Sequence, residues 1–128
     1  MTPLYFLLII LGGGLGALCR YCVEYLGLFE TNKYFYTTVI NLSGCLVIGI
    51  LWTVFQYFHA SRGWYLGAIT GFLGGFTTYS AFALDAVKLM AEGQWLRVAV
   101  YVGITVFGGL VACAIGIIGT KKLIYWMS

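Results

Sequence analysis

Three pairs of residues in this chain stand at spacings that put both partners on one face of a helix. Thr37 and Asn41 are four apart, Tyr79 and Phe82 are three apart with Ser80 between them, and Tyr101 and Thr105 are four apart. Asparagine amide hydrogens and hydroxyl groups can donate hydrogen bonds to an anion. Aromatic ring edges are electropositive, so Tyr79 and Phe82 can present edges to the same guest. Arg20 would raise the local anion concentration at a pathway mouth. The chemistry therefore leans towards an anion without naming one. The plainer reading of any single pair is ordinary interhelical hydrogen bonding, worth about 0.6 kcal/mol per contact. Three pairs on three segments shift the preference towards a lined pathway.

The elements that must position these residues are membrane-spanning. The chain is 62% hydrophobic and only 9% charged, against about 25% charged in a typical soluble domain. Residues 1–19 carry no charged side chain, and Tyr34 to Ser61, Gly63 to Leu84 and Val98 to Thr120 are uncharged runs. Each is long enough to cross a bilayer as a helix, which takes about 20 residues. The expectation is an all-α integral membrane protein of one domain, 1–128, with four spans near 3–25, 34–58, 64–88 and 97–120. The third span contains Gly71-Phe72-Leu73-Gly74-Gly75-Phe76-Thr77-Thr78-Tyr79-Ser80-Ala81-Phe82. Glycine and threonine are weak helix formers, so this span is expected to break mid-membrane. Broken backbone at that depth is tolerated only where protein or a water-filled cavity surrounds it.

With four spans, the N-terminus, second loop and C-terminus share one side. That side holds Arg62, Lys121 and Lys122; the other holds Arg20, Lys33, Lys88 and Arg97. Three against four is almost no positive-inside bias. The sharper expectation is dual topology, and the plainer one is a weakly set single orientation. Two inverted copies packed together would supply more lining than four helices can, as inverted repeats do elsewhere. Gly12-x-x-x-Gly16, Gly67-x-x-x-Gly71 and Gly71-x-x-x-Gly75 would allow close packing, either between copies or within one chain. The N-terminal stretch has no basic n-region and is not read as a cleaved signal. Leu18 is too large for the position before a lipoprotein cysteine at Cys19.

Other chemistries find little support. Cys19-x-x-Cys22 has no partner ligands, since the single histidine, His59, falls on the opposite side and structural zinc wants four clustered ligands. Cys45 and Cys113 fall mid-membrane, where cysteine acts as a small hydrophobe. Ser80, His59 and Asp85 cannot converge as a hydrolytic triad, because a base must come within hydrogen-bond reach. No phosphate-cradling glycine loop with a following lysine is present, and no basic cluster points to nucleic acid. The acids are Glu24, Glu30, Asp85 and Glu92. Asp85 is read as a helix-end charge near the interface, paired with Lys88 at i+3. An enzyme is not expected.

A bare ion costs of order 20 kcal/mol to bury in the dry limit. Hydrogen bonds to charged groups return about 1.5–3 kcal/mol each. The path must therefore stay partly wet or have a fixed positive charge nearby.

Three motifs, in order, resemble the small bacterial fluoride channel family, Fluc or CrcB. They are Gly12-Gly13-x-x-Gly16-Ala17-x-x-Arg20-Tyr21, Thr37-x-x-x-Asn41-x-x-Gly44 and Gly71-x-x-Gly74-Gly75-x-Thr77-Thr78-Tyr79-Ser80-x-Phe82. The resemblance implies a dual-topology antiparallel homodimer in the bacterial inner membrane, surrounded by membrane lipid, with two pores for passive fluoride export. It implies a structural sodium ion on the two-fold axis, held by backbone carbonyls of Gly74 and Thr77 from each subunit. It matches Asn41, Tyr79 and Phe82 to pore residues, and Tyr101 and Thr105 to a polar track. Three positions depart from the family pattern: Tyr79 stands in a phenylalanine slot, Gly109 offers no hydroxyl at the third position of the track, and Ala81 replaces a commonly hydroxylated residue. The rivals are a small multidrug-type exporter, which needs a membrane-embedded glutamate that residues 1–19 lack, and a structural membrane protein without transport.

Overall fold

The computed structural model describes residues 2–27 and 32–128; Glu30 lies outside the described residues. Helix α1 runs Pro3–Tyr25. Pro3 opens it, where the ring's fixed φ suits a helix and the missing N–H has no intrahelical partner to lose. Gly27, at φ 55, follows its end, a left-handed position that glycine adopts without strain. Helix α2 is Lys33–Tyr57. The third pass is discontinuous. A short α3, Arg62–Trp64, leads into a wide π-helical stretch π1, Tyr65–Leu73, and a tight turn α4, Gly74–Phe76. Thr77 and Thr78 are then extended (φ −78, ψ 156 and φ −148, ψ 109), and α5, Tyr79–Ala91, resumes the pass. Helix α6, Trp95–Met127, continues past Thr120 to become the longest element.

The described residues are helical with no strands. Helices α1, α2 and α6 are each long and apolar enough to cross a membrane, and the broken third pass completes the four. Large apolar side chains such as Ile10, Phe107 and Leu110 are more than half exposed, the surface expected where lipid is the solvent.

Two tight backbone contacts organise the fold. Helix α1 packs on π1 and α4, and α2 packs on α6. A Cβ on Gly12 would collide with the Gly67 carbonyl, one on Gly16 with the Phe72 carbonyl, and one on Gly75 with the Gly13 carbonyl. On the other pair, a Cβ on Gly49 would strike the Cys113 carbonyl. The Gly-x-x-x-Gly motifs are therefore used within one chain. They act as backbone-to-backbone seams, the known role of small residues between membrane helices. The same contacts explain why the glycines are not the break. Gly71, Gly74 and Gly75 remain helical, and the two threonines after them carry the extended backbone.

Asp85 corrects the sequence reading. It is 1% exposed and lies beside a core of Phe82, Ala86, Leu89, Val98 and Tyr101. Among the described residues no ion pair joins it to Lys88, which is exposed. Phe82, Asp85, Ala86 and Leu89 share one face of α5 at i, i+3, i+4 and i+7, so burying that face takes the carboxyl inside with it.

Candidate functional site

The break in the third pass is held by side chains. Asn41, half-buried on α2, meets Thr78 with both ends of its amide. Its Nδ2 donates to the Thr78 carbonyl at 3.0 Å, and the Thr78 N–H donates to its Oδ1 at 2.8 Å. The pair reproduces what a neighbouring strand would offer an extended residue. One turn further along α2, a Cβ at Gly44 would collide with the Thr77 methyl group. Glycine there is what lets the extended backbone sit against α2. Thr77 belongs to the first half of the pass: its N–H and its Oγ1 both donate to the Leu73 carbonyl at 2.9 Å. Thr78 belongs to the second half, as its Oγ1 caps α5 by accepting from Ala81 N–H at 3.2 Å.

These bonds release two carbonyls. In an unbroken α-helix each N–H donates to the carbonyl four residues back. Thr78 N–H would then serve Gly74, but it goes to Asn41. Ala81 N–H would serve Thr77, but it goes to the Thr78 hydroxyl. The negative end of one half-helix and the positive end of the next thus face the same gap, with opposite partial charges. Gly74 is exposed there, and Thr77 is half-buried. A Thr78→Val change removes the cap of α5 and is expected to cost about 1 kcal/mol. Thr78→Ser is expected to retain most of it, as read from paired thermal unfolding curves in detergent.

A groove of ≈ 390 Å³ opens at this gap. Its lining includes Asn41, Gly74, Thr77, Tyr79, Phe82 and Thr105. Six of the ten sequence-predicted site residues therefore share one concavity. Thr105 lends it a buried hydroxyl with no hydrogen-bond partner among the described residues. Ser80 is exposed just outside the lining, its hydroxyl 3.3 Å from that of Thr78. Tyr79 is 80% exposed. Gly109 is buried, and a Cβ there would come within 3.3 Å of Cys45 Sγ. A larger, hydroxylated residue would crowd that cysteine.

Thr37 and Tyr101 are gathered elsewhere. Their hydroxyls donate to Asp85 Oδ2, at 3.1 and 3.4 Å. A run of tilted and edge-on ring contacts joins this second cluster to the groove. Tyr79 and Phe82 have centroids 5.8 Å apart, Phe82 and Tyr101 5.3 Å, and Tyr101 and Tyr34 5.7 Å. Arg20, half-buried near the end of α1, does not line the groove. The four cysteines are unpaired, and the described residues contain no cluster of three or more His, Cys, Asp or Glu.

Sequence reasoning gave Thr78 no role of its own and placed Asp85 at a helix end beside Lys88. Thr78 was legible as a threonine immediately before a helical apolar run, the usual N-cap signature. Asp85 was legible from its i+3 spacing to Phe82, which puts the two on one face.

The family model described as CrcB-like protein, Camphor Resistance (CrcB), matches residues 7–117. A "Fluoride-specific ion channel FluC" of Pseudomonas fluorescens is 42% identical over 102 residues, covering 70% of this chain and 74% of the relative. One of the same name from Flavobacterium psychrophilum is 38% identical over 122 residues, covering 90% and 95%. "Fluoride-specific ion channel FluC 2" of Brucella abortus is 40% identical over 121 residues, covering 91% and 94%. The matched span contains both the seam glycines of α1 and the whole of the clamped break, so the chain belongs to the CrcB-like family.

Proposed function

We propose that this chain is a fluoride channel of the bacterial inner membrane, passing the ion passively outward and thereby protecting against its toxicity. It is a channel and not an enzyme. The observation that carries the reading is the clamp of Asn41 on Thr78, which holds a helix break open beside a groove lined by the predicted pore residues. The relatives' names supply the ion.

In this reading fluoride runs along Asn41, Tyr79, Ser80, Phe82 and Thr105, while the Thr37 and Tyr101 hydroxyls lie past Phe82 with their protons engaged by Asp85. Asn41 keeps one amide hydrogen beyond the bond to Thr78, because its nitrogen carries two. The Thr105 hydroxyl is free to donate. Ring edges of Phe82 and Tyr79 offer partial positive charge. Arg20 serves the vestibule by concentrating anions at the entrance.

The released carbonyls of Gly74 and Thr77 fit a hard cation, which prefers oxygen ligands. A second copy, packed antiparallel about a two-fold axis, would add its own pair. A sodium ion bound there would supply the fixed positive charge that passage of an anion through a low-dielectric region calls for.

Purified protein in liposomes loaded with fluoride provides the test. Efflux is expected when valinomycin releases the membrane potential, with chloride retained. No efflux, equal passage of chloride, or a requirement for a proton gradient would overturn the proposal. The last arm matters because Asp85 is a buried acid within a span, a common mark of proton coupling.

A further inference from the structure

We propose that the crevice between the far ends of α2 and α6 binds the headgroup of an anionic phospholipid. This cavity of ≈ 530 Å³ has a polar rim that includes Gln56, Tyr57 and Lys121, and apolar walls that include Trp52 and Ile124. Lys122 lines an adjoining depression with Lys121 and Trp126.

Charge, depth and shape point to the same occupant. Among the described residues neither lysine makes a hydrogen bond or an ion pair. The end of the molecule that carries them also holds Arg62, and its described residues include no acidic side chain, since Glu24 and Glu92 flank the opposite ends of the helices. Lys121 is therefore the one charged side chain in the crevice's lining. The uncharged stretch of α6 from Val98 to Thr120 spans about 35 Å as a helix, close to the hydrocarbon thickness of a bilayer. Lys121 and Lys122 are the first residues beyond it and so sit at headgroup depth. Tyr125 and Trp126 are more than four-fifths exposed beside them, as interfacial aromatics are. A phosphodiester placed here meets the Lys121 ammonium, with Lys122 in the adjoining depression adding to the local positive charge, while the Gln56 amide and the Tyr57 hydroxyl can donate to its remaining oxygens. Its acyl chains continue over the apolar wall. A zwitterionic lipid would bring its own ammonium against the lysines, which is why the site favours a net negative headgroup.

Native mass spectrometry of the detergent-solubilised protein tests this with phosphatidylglycerol and phosphatidylcholine of matched acyl chains. The protein is expected to retain phosphatidylglycerol preferentially. Lys121→Gln with Lys122→Gln should weaken that retention about 30-fold and leave the oligomeric state unchanged. Lys121→Arg with Lys122→Arg should preserve it, as should Lys33→Gln with Lys88→Gln at the opposite end. Equal retention of the two lipids, or undiminished retention in the Lys121→Gln, Lys122→Gln protein, overturns the proposal. So does displacement by inorganic phosphate alone, which marks a free-anion site, or a shift in oligomeric state, which marks an interface between copies. None of these readouts depends on fluoride transport.

Discussion

Asn41→Asp is expected to slow fluoride efflux from liposomes about 100-fold. The substitution keeps the shape of the side chain and changes two things. It replaces the amide that donates to the Thr78 carbonyl at 3.0 Å with an oxygen that can only accept. It also places a fixed negative charge on the groove through which the proposed anion passes. Two unit charges about 5 Å apart repel by about 3 kcal/mol at an effective dielectric of about 20, and each 1.36 kcal/mol of added barrier is about a factor of ten in rate. The other half of the clamp survives, because a carboxylate still accepts from Thr78 N–H. The protein should thus remain folded, with a stability loss of about 1–3 kcal/mol for the unpaired carbonyl. A fluoride electrode and a thermal unfolding curve on the same preparation separate the two effects. Wild-type flux in the variant would remove Asn41 from the pathway.

Gly16→Ala is expected to have the largest effect on folding. The added methyl group would collide with the Phe72 carbonyl and lie 2.8 Å from the Phe76 nitrogen. Both obstacles are backbone and cannot swing aside as a side chain would. Overpacking of this kind costs about 1–3 kcal/mol where neighbours can adjust, and here the upper end or beyond is expected. Relief requires α1 to part from π1 and α4, the elements that lead into the break. Flux should fall along with stability, in contrast to Asn41→Asp. Gly14→Ala and Gly119→Ala provide the comparison, since nothing stands within 4 Å of a Cβ at either position. If Gly16→Ala unfolds at the same temperature as those two, the seam does not hold the third pass in place.

Much of this was readable from residue types because a membrane leaves few options. Long uncharged runs separated by charges give the passes, and the resemblance of three short motifs marks the groove. Less was readable where two residues far apart in sequence decide the outcome. The glycines around the break looked like helix breakers by propensity. Their lack of a side chain serves instead to bring α1 close, which depends on Gly12, Gly13 and Gly16 lying opposite. The break needs Asn41, 37 positions earlier, to accept a backbone N–H that would otherwise continue the helix. Asp85 looked like an interfacial charge because Lys88 follows one turn later. The hydroxyls of Thr37 and Tyr101 that receive it come from two other helices, and no local pattern announces them.

The Asn41–Thr78 pair also has a consequence for the order in which the protein is made. Helix α2 is synthesised before the third pass, so Asn41 is in the bilayer before Thr78 arrives. Until the two meet, the extended backbone at Thr77 and Thr78 has no partner in hydrocarbon, and a continuous helix is the only form of residues 62–91 that satisfies its own hydrogen bonds. The third pass is therefore expected to enter the membrane unbroken and to open its gap on docking against α2, which would make the break a late product of assembly and the second helix its template.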